Sequence, residues 1–193
     1  MRLKYLLVIF GLVLLVAAPQ TFAQNLVQNG SFETGDFTDW STSGNFEFIN
    51  VVSGAYYEYS GAQDGTYYVA AGPTESLGII SQSFADTPGA QYVFSFYLNA
   101  VGDNPSEFVA YWNGTPVLDL SNPDTGGVWT LESFTETGSG HDSIGFGFQD
   151  DPAYIALDNV SVASTTTAPE PSSLLLMGTG ILAVAGAVRR KLF

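Results

Sequence analysis

Apolar and polar side chains alternate along much of the central chain. In residues 91–98 an aromatic or leucine side chain occupies every second position, and residues 144–148 repeat the same period. A period of two is typical of β-strands that bury one face. Asn113-Gly114 separates two further apolar runs and is a strong signal for a tight hairpin turn. We therefore expect strands in these segments.

Other short apolar runs fit strands of the same kind, and glycine- or asparagine-containing turns separate them. No helical periodicity of useful length appears between the two ends of the chain. Nine or ten short strands over about 138 residues favour an all-β fold, a two-sheet antiparallel jelly-roll sandwich. The candidate strands are 26–28, 46–52, 66–71, 77–84, 91–98, 108–112, 116–120, 128–135, 143–148 and 154–162.

The charges are sorted along the chain. All 19 acidic residues lie between Glu33 and Glu170, the five basic residues lie at the two ends, and residues 24–171 contain neither Lys nor Arg. A nucleic-acid surface needs those cations and a P-loop needs its lysine, so both are excluded. The chain has no Cys, which excludes disulfides and Cys-type zinc sites. A bound cation is the natural partner for so acidic a domain.

The first 23 residues are typical of a secretory signal peptide with an apolar helix. Arg2 and Lys4 precede a 14-residue apolar segment, and Thr21-Phe22-Ala23 offers small residues at positions −3 and −1 of a cleavage site. The segment is short for a membrane span of about 20 residues, and an uncleaved anchor is the alternative. We expect an exported domain over residues 24–163.

The C-terminal segment, residues 164–193, has three parts after its linker. Pro169-Glu170-Pro171 comes first, an apolar helix is predicted over 172–188, and Arg189-Arg190-Lys191 follows. Such a helix spans about 26 Å, close to the hydrocarbon thickness of about 30 Å, and the cations after it fit the positive-inside rule. We expect a single transmembrane helix with the main domain outside.

This order of parts resembles the PEP-CTERM sorting signal of exported proteins in Gram-negative bacteria with extracellular polysaccharide systems. The resemblance implies that an exosortase recognises the tail in the inner membrane and removes it. The protein would then reach the cell surface or the extracellular matrix, and a plain C-terminal membrane anchor is the alternative. The sorting residues would be Pro169, Glu170, Pro171, Arg189 and Arg190.

The central domain opens on an N-G-x-F-E-x-G sequence at residues 29–35, with Trp40 soon after, and closes on the strand 154–162. These motifs, with landmarks in the same order between them, resemble galactose-binding-like jelly rolls of the carbohydrate-binding module 4/9 type over nearly all of residues 25–163. The resemblance implies a structural Ca²⁺, an ion that takes six to eight oxygens. Its ligands would be the Glu33 and Asp158 carboxylates and carbonyl groups near Ser31 and Asp64. The alternative is that both acids are solvated loop caps.

Most of the many aromatic side chains are expected in the core, Trp40 among them. The candidates for an exposed ligand-binding surface are Tyr57, Tyr59, Tyr111 and Trp112. Sugar rings stack on aromatic faces while carboxylates and amides bind hydroxyl groups, so aromatic and acidic residues together favour a glycan surface. The sequence leaves open which sheet face or loop would bind.

Catalytic motifs are missing from the sequence. Ser139, His141 and Asp142 are too close together to indicate a triad, and neither G-x-S-x-G nor H-E-x-x-H occurs. Acid pairs can hydrolyse glycosides, but 18 acids in residues 24–163 single out no pair. The sequence therefore predicts a binding module and not an enzyme.

Taken together, these patterns predict an exported surface or matrix protein with a Ca²⁺-stabilised sandwich that binds carbohydrate, with exopolysaccharide as the candidate ligand. A structural or adhesive matrix protein without glycan specificity is the alternative. A small glycan-active enzyme is a third, less favoured interpretation.

Overall fold

The computed structural model describes residues 24–151 and 153–165. The predicted signal peptide, apolar C-terminal helix and sorting residues lie outside the described residues. The described part contains ten strands and no helix, and so offers no helix able to cross a membrane. The described residues all belong to one compact unit.

The ten strands pair into two antiparallel sheets of five. Sheet I has the order β1-β4-β9-β6-β7, and sheet II has the order β2-β3-β10-β5-β8. This confirms the predicted two-sheet sandwich. In chain order the strands are β1 (Ser41–Gly44), β2 (Ile49–Ser53), β3 (Tyr67–Ala71), β4 (Gly78–Ala85), β5 (Gln91–Asn99), β6 (Ser106–Trp112), β7 (Thr115–Ser121), β8 (Thr130–Thr137), β9 (His141–Asp150) and β10 (Ile155–Ser164).

Two differences from the expected strands lie near the start of the domain. The strand predicted over 26–28 is wrong: only an isolated bridge joins Asn25 to Ala163, and the Leu26 N–H donates to the Val162 carbonyl at 2.8 Å. The edge strand β1 was not predicted, because its Ser-Thr-Ser-Gly sequence is exposed throughout and has no apolar alternation. A strand that is held only by backbone hydrogen bonds needs no alternation of apolar and polar side chains in its sequence.

The predicted hairpin turn is confirmed. Asn113 and Gly114 connect β6 to β7 and have φ angles of 51° and 72°. Positive φ at both central residues defines the type I′ turn, for which Asn-Gly is the favoured pair. The Asn113 side chain also donates to the Asp142 carboxylate at 2.7 Å, which ties the turn to the start of β9.

The main core fills the space between the sheets and is largely aromatic. Phe96 of sheet II meets Phe146 of sheet I edge to face, with their ring centroids 5.0 Å apart. Trp40 is 7% exposed and stacks on Phe32, as expected for a core residue. Rings in such contact add about 0.5–1.5 kcal/mol each to what area burial contributes.

A second, smaller core lies on the outer side of sheet II. Along β3, Val69 and Ala71 face the main core, while Tyr68 and Ala70 face outward and are nevertheless fully buried. The segment 54–66 covers them. The indole N–H of Trp129, which packs against the same cluster, donates to the Gly61 carbonyl oxygen at 3.1 Å. We call residues 54–66 the cover segment.

Candidate functional site

Asp158 holds the cover segment to the sheet. It lies on the outer side of β10, two residues after the buried Ala156, and its side chain is 0% exposed. Its Oδ2 accepts the main-chain N–H groups of Gln63 at 2.8 Å and Asp64 at 3.0 Å. Burial raises the pKa of Asp158 to about 6, against the lowering effect of these hydrogen bonds.

Glu33 binds the next residues of the same connection. Its Oε1 accepts the N–H groups of Thr66 and Tyr67, both at 2.8 Å. Gly65 lies between the two carboxylate-bound pairs, where a Cβ atom would sit 2.4 Å from Glu33 Cδ. Residues 63–67 are thus held by main-chain hydrogen bonds to two carboxylates. We call Glu33 and Asp158 the clasp.

Gly30 explains why the opening motif needs its glycine. Val160 donates its N–H to the Gly30 carbonyl at 2.8 Å, so the first turn packs directly against β10. A Cβ atom at residue 30 would lie 2.1 Å from the Val160 carbonyl oxygen. The N-G-x-F-E sequence therefore brings Glu33 beside β10 by close backbone approach.

The residues predicted to bind Ca²⁺ meet in part. The Glu33 and Asp158 carboxylates both bind the main chain of residues 63–67, the segment that contains Asp64. No hydrogen bond in the described part of the chain joins Ser31 to this segment. Nowhere in residues 24–151 and 153–165 do three or more acidic, His or Cys side chains form a metal-binding group. An ion at the clasp would need main-chain oxygens or water besides the two carboxylates.

The four aromatic candidates separate into buried and accessible residues. Trp112 is 6% exposed and packs against Phe84 and Phe94, so the expectation that it lies on an exposed surface is wrong. Tyr59 is 2% exposed, inside the smaller core, and the same correction applies. Trp112 is in phase with Phe108 and Ala110, the inward-facing residues of β6, whereas Tyr59 lies in the cover segment outside the ten strands.

Tyr57 and Tyr111 remain accessible. Tyr57 is 57% exposed in the cover segment, edge to face with Tyr154 at 5.4 Å. Tyr111 is half-buried on the outer face of sheet I and lines an open cavity of about 330 Å³. The other residues lining that cavity are Ile79, Ser81, Gly114, Ser143, Ile144 and Gly145.

Two glycines of β9 form the floor beneath the Tyr111 ring. Ser81, Gly145 and Tyr111 lie in one row across three strands, and Gly147 is next along β9. A Cβ atom on Gly145 would lie 3.7 Å from the Tyr111 ring, and one on Gly147 would lie 3.4 Å from it. The ring therefore lies across bare backbone, which is a common reason for glycine inside a strand.

Acidic groups surround this ring. Burial raises the pKa of Tyr111, and the nearby negative charges of Glu107 and Asp119 raise it further. Sequence reasoning selected Tyr111 but missed the glycine floor. The signal was present in Ile144-Gly145-Phe146-Gly147-Phe148, where glycine takes both outward positions between three large inward side chains.

A buried acid pair was also missed. Asp86 and Asp142 hydrogen-bond to each other through their carboxyl groups, which requires a shared proton. The pKa of Asp142 is held at about 2 by hydrogen bonds from Asp86, Ser139 and Asn113 against the opposing effect of burial, while burial and Asp142 raise that of Asp86. His141, next to them, only lowers the pKa of Asp86 slightly.

Comparison with known proteins decides the nature of the C-terminal segment. Residues 167–191 match the model of the PEP-CTERM protein-sorting motif. The chain carries a PEP-CTERM sorting motif. The prediction made from Pro169-Glu170-Pro171, the apolar segment and the terminal cations is confirmed. This motif implies that the protein is exported, is processed by an exosortase and is located at the cell surface. No curated protein matches the chain.

Solved structures similar to this chain share its fold. A family 61 carbohydrate-binding module, in complex with β-1,4-galactotriose, is 18% identical with a TM-score of 0.60, over 74% of this chain and 99% of that one. The xylan-binding CBM22-1 domain of Paenibacillus barcinonensis Xyn10C is 18% identical with a TM-score of 0.53, over 79% and 100%. These likenesses confirm the jelly-roll fold.

One similar structure belongs to an enzyme. The enzymatically active domain of bacteriophage CBA120 tailspike protein 4 is 18% identical with a TM-score of 0.53, over 72% of this chain and 21% of that one. The matched part is a small share of the tailspike domain. At this identity the likeness describes the fold and assigns no reaction to the PEP-CTERM protein.

Proposed function

We propose that the exported domain of this PEP-CTERM protein binds carbohydrate on the outer face of sheet I, without catalysing a reaction on it. The observation that carries the proposal is the Tyr111 ring lying across Gly145 and Gly147 in an open cavity. A half-buried aromatic ring on a flat floor presents one face to solvent, which suits stacking of a sugar ring. Exopolysaccharide outside the cell is the ligand class that fits the export route.

The polar surroundings of Tyr111 support this proposal. Ser81 and Ser143 line the same cavity, and Glu107 and Asp119 lie close enough to influence the phenol. Hydroxyl and carboxylate groups beside an aromatic ring pair with sugar hydroxyls while the ring takes the apolar face. A neutral or cationic glycan fits better than an acidic one, because the domain has no Lys or Arg to neutralise an anion.

The test is glycan-array binding of the purified protein with variants of each aromatic candidate. Tyr111→Ala is expected to lose binding, and Tyr57→Ala, which removes an equally aromatic but separate side chain, is expected to keep it. Binding lost only in Tyr57→Ala would move the site to the cover segment. Binding to no glycan by the wild-type protein would favour the structural or adhesive alternative.

We further propose that Ca²⁺ binds at the clasp. Glu33 uses only Oε1 in its two hydrogen bonds, and Asp158 binds the adjacent residues of the same segment, so two carboxylates serve one segment of a region without Lys or Arg. Carboxylates and main-chain carbonyls are the ligands that Ca²⁺ takes. When bound there, the ion would neutralise the pair.

The clasp proposal is tested by melting in Ca²⁺ and in EDTA. Ca²⁺ is expected to raise the melting temperature because a ligand of the folded state alone stabilises it. Glu33→Gln keeps the size of the side chain and is expected to abolish most of that rise. A wild-type melting temperature that is equal in both buffers would contradict the proposal.

A further inference from the structure

A different pair of carboxylates lies where β9 ends. Asp150 is the last residue of β9, is 2% exposed, and pairs with Ser106 at the start of β6. Asp103 comes three residues before Ser106, and the Ser106 hydroxyl donates to the Asp103 carbonyl oxygen at 2.6 Å. The strand pairing therefore places both acids at the same end of sheet I.

Each of these acids has a buried oxygen without a hydrogen bond. Asp103 Oδ2 and Asp150 Oδ1 are inaccessible to solvent and have no partner in the described residues. Asp158, which is equally buried, shows the usual outcome, because both of its oxygens accept main-chain N–H groups. Buried carboxylate oxygens without donors are normally paired with a cation or a metal.

The chain itself supplies no such cation. Residues 24–171 contain no Lys or Arg, and the single His of the protein, His141, lies at the opposite end of β9 from Asp150. The remaining charged group near Asp150 is Asp151, which is also acidic. The described residues therefore offer no positive side chain at this pair, and a neutralising charge would have to come from elsewhere, such as a cation from solution.

A shared proton does not account for this pair as it does for Asp86 and Asp142. Those two carboxyl groups hydrogen-bond directly to each other. Burial raises the pKa of Asp150 to about 7 and the charge of Asp103 adds to this, while main-chain hydrogen bonds from Ala153 and Asp151 oppose it. The charges of the two carboxylates therefore act on each other, and a cation bound between them would remove this repulsion.

We propose that Asp103 and Asp150 hold a hard divalent cation of the Ca²⁺ or Mg²⁺ class between their unpaired oxygens. Two carboxylates with main-chain oxygens and water are a sufficient shell for such ions. Asp150 also lines a cavity of about 200 Å³ beside Tyr154 and Phe48, and this cavity gives the ion a path from solvent.

Tyr59 offers a built-in reporter for this site. Its hydroxyl donates to the Tyr154 carbonyl oxygen in the smaller core. Its pKa is raised first by burial and then by the charges of Asp150 and Asp103, so the phenol lies in the field of both carboxylates. A terbium ion bound between them would be sensitised by this ring when tyrosine is excited.

The experiment is a terbium titration of the full-length protein in detergent, followed by tyrosine-sensitised emission and by counting bound ions. The wild type is expected to bind terbium that Ca²⁺ displaces. Asp103→Asn and Asp150→Asn are each expected to remove one bound ion per chain and most of the sensitised emission. Asp151→Asn, which removes a charge from the exposed neighbouring residue, is expected to keep both the bound ion and the sensitised emission.

The controls separate this site from the clasp. Glu33→Gln should leave the ion at Asp103 and Asp150 in place even if the clasp binds none, and Tyr111→Ala should not change ion binding. If Asp150→Asn does not fold, Asp103→Asn answers the same question from the less buried carboxylate. Equal terbium stoichiometry in the wild type, Asp103→Asn and Asp150→Asn would overturn the proposal.

Discussion

The outer faces of the two sheets differ in how they are covered. On sheet II the cover segment lies over Tyr68, Ala70 and Ala156, and the clasp holds it there. On sheet I the outward sides of Gly145 and Gly147 are contacted instead by the side chains of Ser81, Tyr111 and Leu77. One face has been converted into a second core, and the other remains a surface.

This difference teaches where stability and function are placed in the sandwich. Covering a face requires polar main-chain groups of the cover to be satisfied, and here two carboxylates accept three N–H groups of the cover segment and that of Tyr67, the first residue of β3. An open face needs no such groups and is available to a ligand. Changes on the covered face should therefore affect folding, and changes on the open face should affect binding.

The largest effect is expected from Asp158→Ala. The change leaves the N–H groups of Gln63 and Asp64 without acceptors beneath the cover segment, and each unsatisfied buried donor costs about 1–3 kcal/mol. We expect the free energy of unfolding in urea to fall by about 3–5 kcal/mol. Asp119→Ala, an exposed acid on the open sheet, is the matched control and should change it by less than about 0.5 kcal/mol. A similar loss in both variants would erase the distinction between the faces.

Gly65→Ala should be the next most damaging change. Gly65 has a φ of +68°, and its new Cβ would lie 2.4 Å from Glu33 Cδ. A left-handed backbone costs alanine about 1–2 kcal/mol before the clash is counted, so we expect a loss of about 2–4 kcal/mol in urea unfolding. Retention of wild-type stability would mean that Glu33 can leave the segment without cost.

Trp129→Phe should weaken the cover segment at its other edge. The variant keeps a ring against Tyr68 but removes the indole N–H that donates to the Gly61 carbonyl. One hydrogen bond of this kind contributes about 1 kcal/mol. Hydrogen exchange should show faster opening of residues 54–66 with little change in the main core. Uniform acceleration across both sheets would show that the cover and the main core unfold together.

Gly145→Ala, the same substitution as at Gly65 but on the open face, should have the smallest effect on stability. Its Cβ would meet Ile80, Ser81 and Tyr111 at 3.6–3.7 Å, which is ordinary contact. Alanine is favoured over glycine inside a strand by about 0.5–1 kcal/mol, so unfolding should change by less than about 1 kcal/mol, towards greater stability. A large loss would show that the floor has a structural role that the contacts do not reveal.

The sequence predicted the sandwich well because most strands alternate large and small residues across a buried face. β5 and β9 follow that period closely, and the Asn113-Gly114 turn has a conformation that few other pairs adopt. The resemblance carried by the N-G-x-F-E motif led to Glu33 and Asp158, which both bind residues 63–67, and the close packing of Gly30 on β10 explains why the motif needs its glycine.

The sequence could not show whether a given aromatic side chain enters one of the two cores, the main core or the smaller core on sheet II. Tyr59 in the cover segment has no periodic neighbours, so nothing in the sequence shows that it enters a second core. Trp112 ends a strand beside a turn, a place that suits exposure, yet it packs on Phe84 and Phe94. Asp103 and Asp150 are 47 residues apart in the chain, and only the pairing of β6 with β9 brings them together.

The pairing of Asn25 with Ala163 has a consequence for how this domain can be handled genetically. The chain enters and leaves the sandwich on adjacent backbones, as in domains that tolerate insertion into a host loop. A short linker from residue 165 back to residue 24 would close the domain into a ring, and new ends opened at the exposed Gly114 turn would give a circular permutant. Such a permutant would present the Tyr111 face next to its own termini, which would make that face the natural point of attachment to a support.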